Sequence, residues 1–147
     1  MLPVLLVILG LGGVASCAGP GGEVREPDPG AAAAALHTTN RTIFVVATRQ
    51  KARIIESLEA VGIKVSQDLA EAGFMLRVTV GTDQGWRDCG TRNNVKYSLR
   101  REGVAVVELA EKGWTGTCTP NVFDVLSRQL AEVLASDDDS QGAPAER

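Results

Sequence analysis

The sequence predicts an α/β domain of the α+β type. It should be a two-layer sandwich with two helices on one face of a mostly antiparallel sheet of four to five strands, in the order β-α-(β)-β-β-β-α. Three observations carry this. Residues 74–80 (FMLRVTV) and 95–100 (VKYSLR) alternate apolar and polar side chains with the period of two that marks a strand. The stretches after Thr48 and after Thr119 instead repeat apolar residues every three or four positions, the mark of a helix with one buried face. Arg101-Glu102-Gly103 separates two alternating runs and so closes a hairpin.

Taken in order, residues 2–16 (LPVLLVILGLGGVAS) contain no charge. Fifteen residues fall short of the roughly 20 that span a bilayer. They suit the apolar core of a secretory signal, about 7–15 residues ahead of a small-residue cleavage site. The run closes on Val14-Ala15-Ser16-Cys17, which resembles the lipobox of bacterial lipoproteins. That family carries a basic residue before the apolar run, whereas Met1-Leu2-Pro3 stands here. The resemblance implies a signal peptide over 1–16, cleavage before Cys17, diacylglycerol on its thiol and an acylated amine. It also implies a destination: Ala18, where Asp would retain the protein, directs it to the periplasmic face of the outer membrane. In a cell without an outer membrane, the outer face of the cell membrane takes its place. Each buried CH₂ contributes about 0.8 kcal/mol, so several acyl chains anchor without a spanning helix.

Residues 17–40 then form a lipidated cysteine and a linker, since Gly, Pro and Ala dominate AGPGGEVREPDPGAAAAALHTTN and no apolar period appears. The folded domain is expected over 41–135. Residues 136–147 read as a disordered acidic tail, in which Asp137, Asp138 and Asp139 are solvated charges rather than metal ligands.

Within the domain, residues 42–47 (TIFVVA) are apolar on both faces, as a central strand would be. Thr48 is placed to cap a helix that ends at Gly62, with Ala52, Ile55, Leu58 and Val61 as its inner stripe. A short edge strand at 63–65 precedes the 74–80 strand. The strands at 94–100 and 104–109 form the hairpin. Thr119 as cap and Pro120 as first helical residue open the last helix, whose inner face is Val122, Leu126, Leu130, Val133 and Leu134. The sheet's other face should carry Arg77, Thr79, Lys96, Ser98, Arg100 and Glu108, polar and leaning positive.

A right-handed βαβ crossover makes the first strand parallel to 74–80. The loops 81–94 and 111–118 then meet at one end of the sheet, where Gly85-Trp86-x-x-Cys89 nearly repeats as Gly113-Trp114-x-x-x-Cys118. Cys89 and Cys118 become neighbours, and an oxidising compartment would join them. No Cys-x-x-Cys marks a redox pair, and two thiols without a nearby His make a poor metal site. Trp86 and Trp114 serve either as a binding platform or as cover for the disulfide and the core. Both helix N-termini should lie at the same end. With Arg49, Lys51, Arg87 and Arg92 they would make a basic rim for an anionic partner, or simply a solvated surface.

The formal charge of −3, from 15 basic and 18 acidic residues, argues against a nucleic-acid binder. The lone His37 lies in the linker, so no Ser-His-Asp or Cys-His set is expected in the domain, and no cofactor or metal is called for. The passage EAVGIKVSQDLAEAGFMLRVTVG (59–81), in which a helix ends at Gly and a short strand, a turn and an alternating strand follow, is similar to small periplasmic α/β domains. These are the TolB amino-terminal type and the lipopolysaccharide-assembly lipoproteins of the LptE type. The first resemblance implies docking to envelope proteins, the second contact with anionic glycolipid. The expectation is a lipid-anchored, non-catalytic binding or assembly module for an envelope partner. The alternatives are lipopolysaccharide or anionic glycolipid binding in outer-membrane assembly and, more remotely, a small periplasmic hydrolase.

Overall fold

The computed structural model describes residues 30, 35, 36, 38–81, 85–87 and 90–141, with the side chains of 85–87, 140 and 141 outside that description. Strand β1 (Ile43–Ala47) leads into helix α1 (Lys51–Ala60), a two-residue strand β2 (Val65–Ser66) and a 3₁₀ turn at Leu69–Glu71. Strands β3 (Phe74–Val80), β4 (Gly85–Arg87), β5 (Gly90–Arg101) and β6 (Val104–Trp114) follow, then helix α2 (Val122–Gln141). This is the expected α+β sandwich, with six strands in place of four to five. Strand β1 runs parallel to β2 and to β3, while β3, β4 and β6 all pair antiparallel with β5. Strand β6 takes one edge of β5 along its length, so β4 must lie on the other edge, continuing the line of β3.

Alternation decides which face is buried. Ile43, Val45, Phe74, Leu76, Val78, Val95, Tyr97 and Leu99 point into one layer. Both helices close it, through Ile54 and Leu58 of α1 and Val122, Phe123, Leu126, Leu130 and Leu134 of α2. Fully burying one such side chain is worth about 1.5–3 kcal/mol, so this seam supplies most of the drive to fold.

Several elements depart from the sequence expectation. Thr48 does not cap α1. Residues 48–50 make the bend back from β1, and Gln50 holds the N-cap position in a left-handed conformation (φ 53°) without a side-chain cap. The inner stripe of α1 is rotated by about one residue: Ile54, Ser57 and Leu58 are buried, Ile55 and Val61 are half-buried, and Ala52 is exposed. Asp124 draws the polar Ser57 inward, as described below. The helix does end at Gly62, whose φ of 84° only glycine adopts without strain.

Helix α2 starts two residues later than expected. Asn121 is its cap, with Oδ1 accepting from Phe123 N at 2.9 Å, and the Thr119-Pro120 peptide bond before it is cis. Helix α2 also continues to Gln141, six residues into the stretch expected as an acidic tail. Arg41 holds that end: Nη1 donates to Leu134 O at 2.6 Å, and Nη2 pairs with Asp138 at 2.6 Å and Asp137 at 3.5 Å. At the other boundary, residues expected in the linker are tied to the domain. Leu36 packs against the core, Arg101 donates to Ala35 O at 3.0 Å, and Asn40 Nδ2 donates to Glu71 O at 2.9 Å.

Candidate functional site

The expected convergence of loops rests on β1 and β3 being parallel, and they are. The ends of β1, β3 and β6 and the starts of β5 and both helices therefore share one end of the sheet. The expected loops 81–94 and 111–118 are largely strand, however. Strand β5 begins at Gly90 and β6 runs to Trp114, because a ladder needs only main-chain hydrogen bonds and continues where the apolar pattern stops. The core-facing row ends on a polar knot: Asn93 Nδ2 donates to Thr115 Oγ1 at 2.8 Å, and Thr115 N donates to Thr91 O at 3.1 Å.

Trp114 is half-buried and aligned with Arg92, which is exposed. Trp86 is aligned with Thr91, and Arg87 with Gly90. The two tryptophans thus belong to neighbouring rows on opposite sides of β5, not to one row. The side chains of Trp86 and Arg87 lie outside the described residues, as do Cys89, Cys17 and His37. Cys118 is half-buried and its sulfur is bonded. Gly90 and Gly116 press together so closely that a Cβ on Gly90 would sit 2.9 Å from Gly116 Cα, which brings the chain beside Cys89 against the chain before Cys118.

The basic rim is divided. Arg49 is exposed beyond the end of β1, two strands from Arg92, or about 10 Å across the sheet. Lys51 turns to the face away from the helices, where Nζ stands 5.1 Å from the centre of the Phe44 ring. Arg53 is engaged inside the helix layer: Nη2 donates to Asp124 Oδ2 at 2.8 Å, while Ser57 Oγ donates to Asp124 Oδ1 at 2.8 Å. Asp124 occupies the first turn of α2, where a carboxylate complements the helix dipole. A residue of this chain thus provides the negative charge at that N-terminus. Next to it, Tyr97 OH lies 3.4 Å from Ser127 Oγ, and burial pushes the phenol pKa up to about 12. The sequence offered a signal for Asp124 only through its place three residues after a capping Asn.

On the face away from the helices, Arg77, Thr79, Lys96 and Glu108 are exposed as expected. Ser98 departs from this expectation: at 7% exposure it is buried under its cross-strand neighbours Arg77 and Glu108. Lys96 Nζ pairs with Glu108 at 3.2 Å. An open hollow of about 470 Å³ lies beside them, lined by Thr79, Asn94, Lys96, Ala110, Glu111 and Lys112. A second cleft, of about 400 Å³, separates the ends of the helices near Arg41, Ile63, Leu134 and Asp138. Among the described residues, no group of three His, Cys, Asp or Glu side chains is placed to hold a metal ion.

No family model matches the chain, and no curated protein matches it. Among solved structures, it is similar to a minor lipoprotein from Acinetobacter baumannii, with a TM-score of 0.40 and 14% identity over 67% of this chain and 96% of that one. It is also similar to PelC from Paraburkholderia phytofirmans, a dodecamer, with a TM-score of 0.34 and 14% identity over 67% of this chain and 87% of that one. Likeness at this level transfers no residue and no activity.

Proposed function

We infer that this chain is a lipoprotein held on the periplasmic side of the outer membrane by acyl chains on Cys17, and that its domain acts by binding an envelope partner rather than by catalysis. One observation carries the reading: an uncharged run of fifteen residues ends on Val14-Ala15-Ser16-Cys17, and a Gly/Pro/Ala stretch separates it from a compact domain. Small residues before the cysteine let a peptidase grip an extended backbone, and the stretch behind it sets a folded body off from its anchor. Cys89 and Cys118 form a disulfide in this reading. The Gly90–Gly116 contact and the bonded sulfur of Cys118 support the pairing. Closing a loop of about 30 residues contributes roughly 3–4 kcal/mol in the chain-entropy model.

The test is metabolic labelling with palmitate. Wild-type protein should take up label, and Cys17→Ser should lose it. Label retained by Cys17→Ser, or its absence from the wild type, would refute the anchoring.

A further inference from the structure

We propose that the face of the sheet turned away from the helices is a docking surface for an anionic lipid bilayer, the same membrane in which Cys17 would be anchored. This rests on the lipoprotein reading above and names what its domain touches first.

The argument begins with how charge is sorted. The chain as a whole carries −3. The open face nevertheless presents Arg77, Arg92, Lys96, Arg100 and Lys112 from three adjacent strands, with Lys51 lying over Phe44 at its margin. Two carboxylates of β6 stand near them: Glu108, paired with Lys96, and Glu111 at the rim of the hollow. The opposite layer exposes Glu56, Glu59, Glu132, Asp138 and Asp139 on its helices, against the one exposed arginine there, Arg128. Such a distribution is an electric dipole across the thickness of the domain. Near a negative surface it turns the sheet inward and the helices outward.

Shape and reach agree with the charge. Among the described residues, no element packs over this face, since both helices close the other one. Phe44, Val46, Met75 and Trp114 are only half-buried there, so apolar surface lies between the cations, as it does in proteins that sit at a headgroup boundary. The hollow of about 470 Å³ beside Lys96 and Lys112, which Glu111 also lines, has room for a phosphate headgroup. Whatever its conformation, the chain between Cys17 and Ala35 cannot extend beyond roughly 65 Å. The domain therefore stays near the bilayer that holds its anchor, where a weak, broad electrostatic contact suffices.

The chain has four lysines, which makes the test direct. Lys51, Lys96 and Lys112 belong to the proposed surface, whereas Lys64 lines the cleft by Ile63 and Leu134 on the helix side. Acylated full-length protein is reconstituted into phosphatidylcholine vesicles with or without phosphatidylglycerol. Amine acetylation at each lysine is then followed by peptide mass spectrometry. Lys96 and Lys112 should react roughly fivefold or more slowly on the anionic vesicles. That protection should vanish at roughly 1 M salt, where the Debye length is about 3 Å. Lys64 should react alike on both.

Arg77→Glu combined with Lys96→Glu should abolish the protection of Lys112, and both substituted positions are exposed, so the fold is spared. The unacylated Cys17→Ser chain should co-sediment more with anionic than with phosphatidylcholine vesicles, and the excess should be salt-sensitive. Equal labelling on both vesicle types by a chain shown to be acylated would overturn the docking surface and leave the anchor standing. Protection that needs an added envelope protein would overturn it in favour of a protein partner. Absence of acylation with anionic co-sedimentation intact would overturn the anchor and leave the surface standing.

Discussion

Tyr97 is the one tyrosine of the chain and sits at the centre of the core, 1% exposed, against Ser127. Its pKa of about 12 follows mainly from burial, which disfavours the phenolate. The unfolded chain ionises near pH 10. Below that pH both states keep the proton and the group leaves stability unchanged. Between pH 10 and 12 only the unfolded chain gives it up, so stability falls through that window, by roughly 2–3 kcal/mol at most. Phenolate absorbance comes from this residue alone, and its rise should be centred near pH 12 and coincide with loss of tertiary signal. A midpoint at pH 10 in a folded protein would show that Tyr97 is solvated. The sequence placed Tyr97 on the inner row through alternation. It could not show that Ser127 would meet the hydroxyl, because that pair joins strand to helix across 30 residues.

Strand β3 illustrates what an element needs beyond pattern. Its alternation made it legible, but its entry depends on Gly73, where a Cβ would overlap the carbonyl oxygen of Asn40. Asn40 has little freedom to yield, since Nδ2 donates to Glu71 O at 2.9 Å and Oδ1 accepts from Thr42 N at 3.2 Å. Gly73→Ala should therefore lower stability by roughly 1–3 kcal/mol, read as a lower urea midpoint with an unchanged slope. An unchanged midpoint would mean that the chain at Asn40 is not held against β3.

The helices teach a related lesson. Apolar spacing gave the inner face of α2, including Val122, Leu126, Leu130 and Leu134. It misjudged the rotation of α1, because Ser57 reads as polar in sequence yet is fully buried once Asp124 accepts its hydrogen bond. The start of α2 was misplaced for a similar reason: Thr119-Pro120 is a good local signal, but Asn121 makes the capping bond. The extra reach of β5 and β6 was invisible because Asn93 and Thr115 satisfy each other by hydrogen bonding, which leaves no hydrophobic trace.

At the scale of the molecule, the two layers divide labour. One side of the sheet and two helices make the core, and the other side is left basic and open. The polarity of that open face was readable from Arg77, Lys96 and Arg100 as alternating outward residues. The division of the basic rim was not, since only the fold shows Arg49 two strands from Arg92 and Lys51 drawn over Phe44. The terminal segments follow the same logic: Arg41 binds Leu134, Asp137 and Asp138 across more than 90 residues, a contact that local reading cannot supply.

The function of this arrangement turns on what happens at Cys17. Mass measurement of the amino-terminal peptide of the protein extracted from membranes tests it most directly. The account predicts a peptide that begins at Cys17 and carries both a thioether-linked diacylglycerol and an amide-linked acyl chain. A peptide that retains residues before Cys17, with the thiol unmodified, would contradict it.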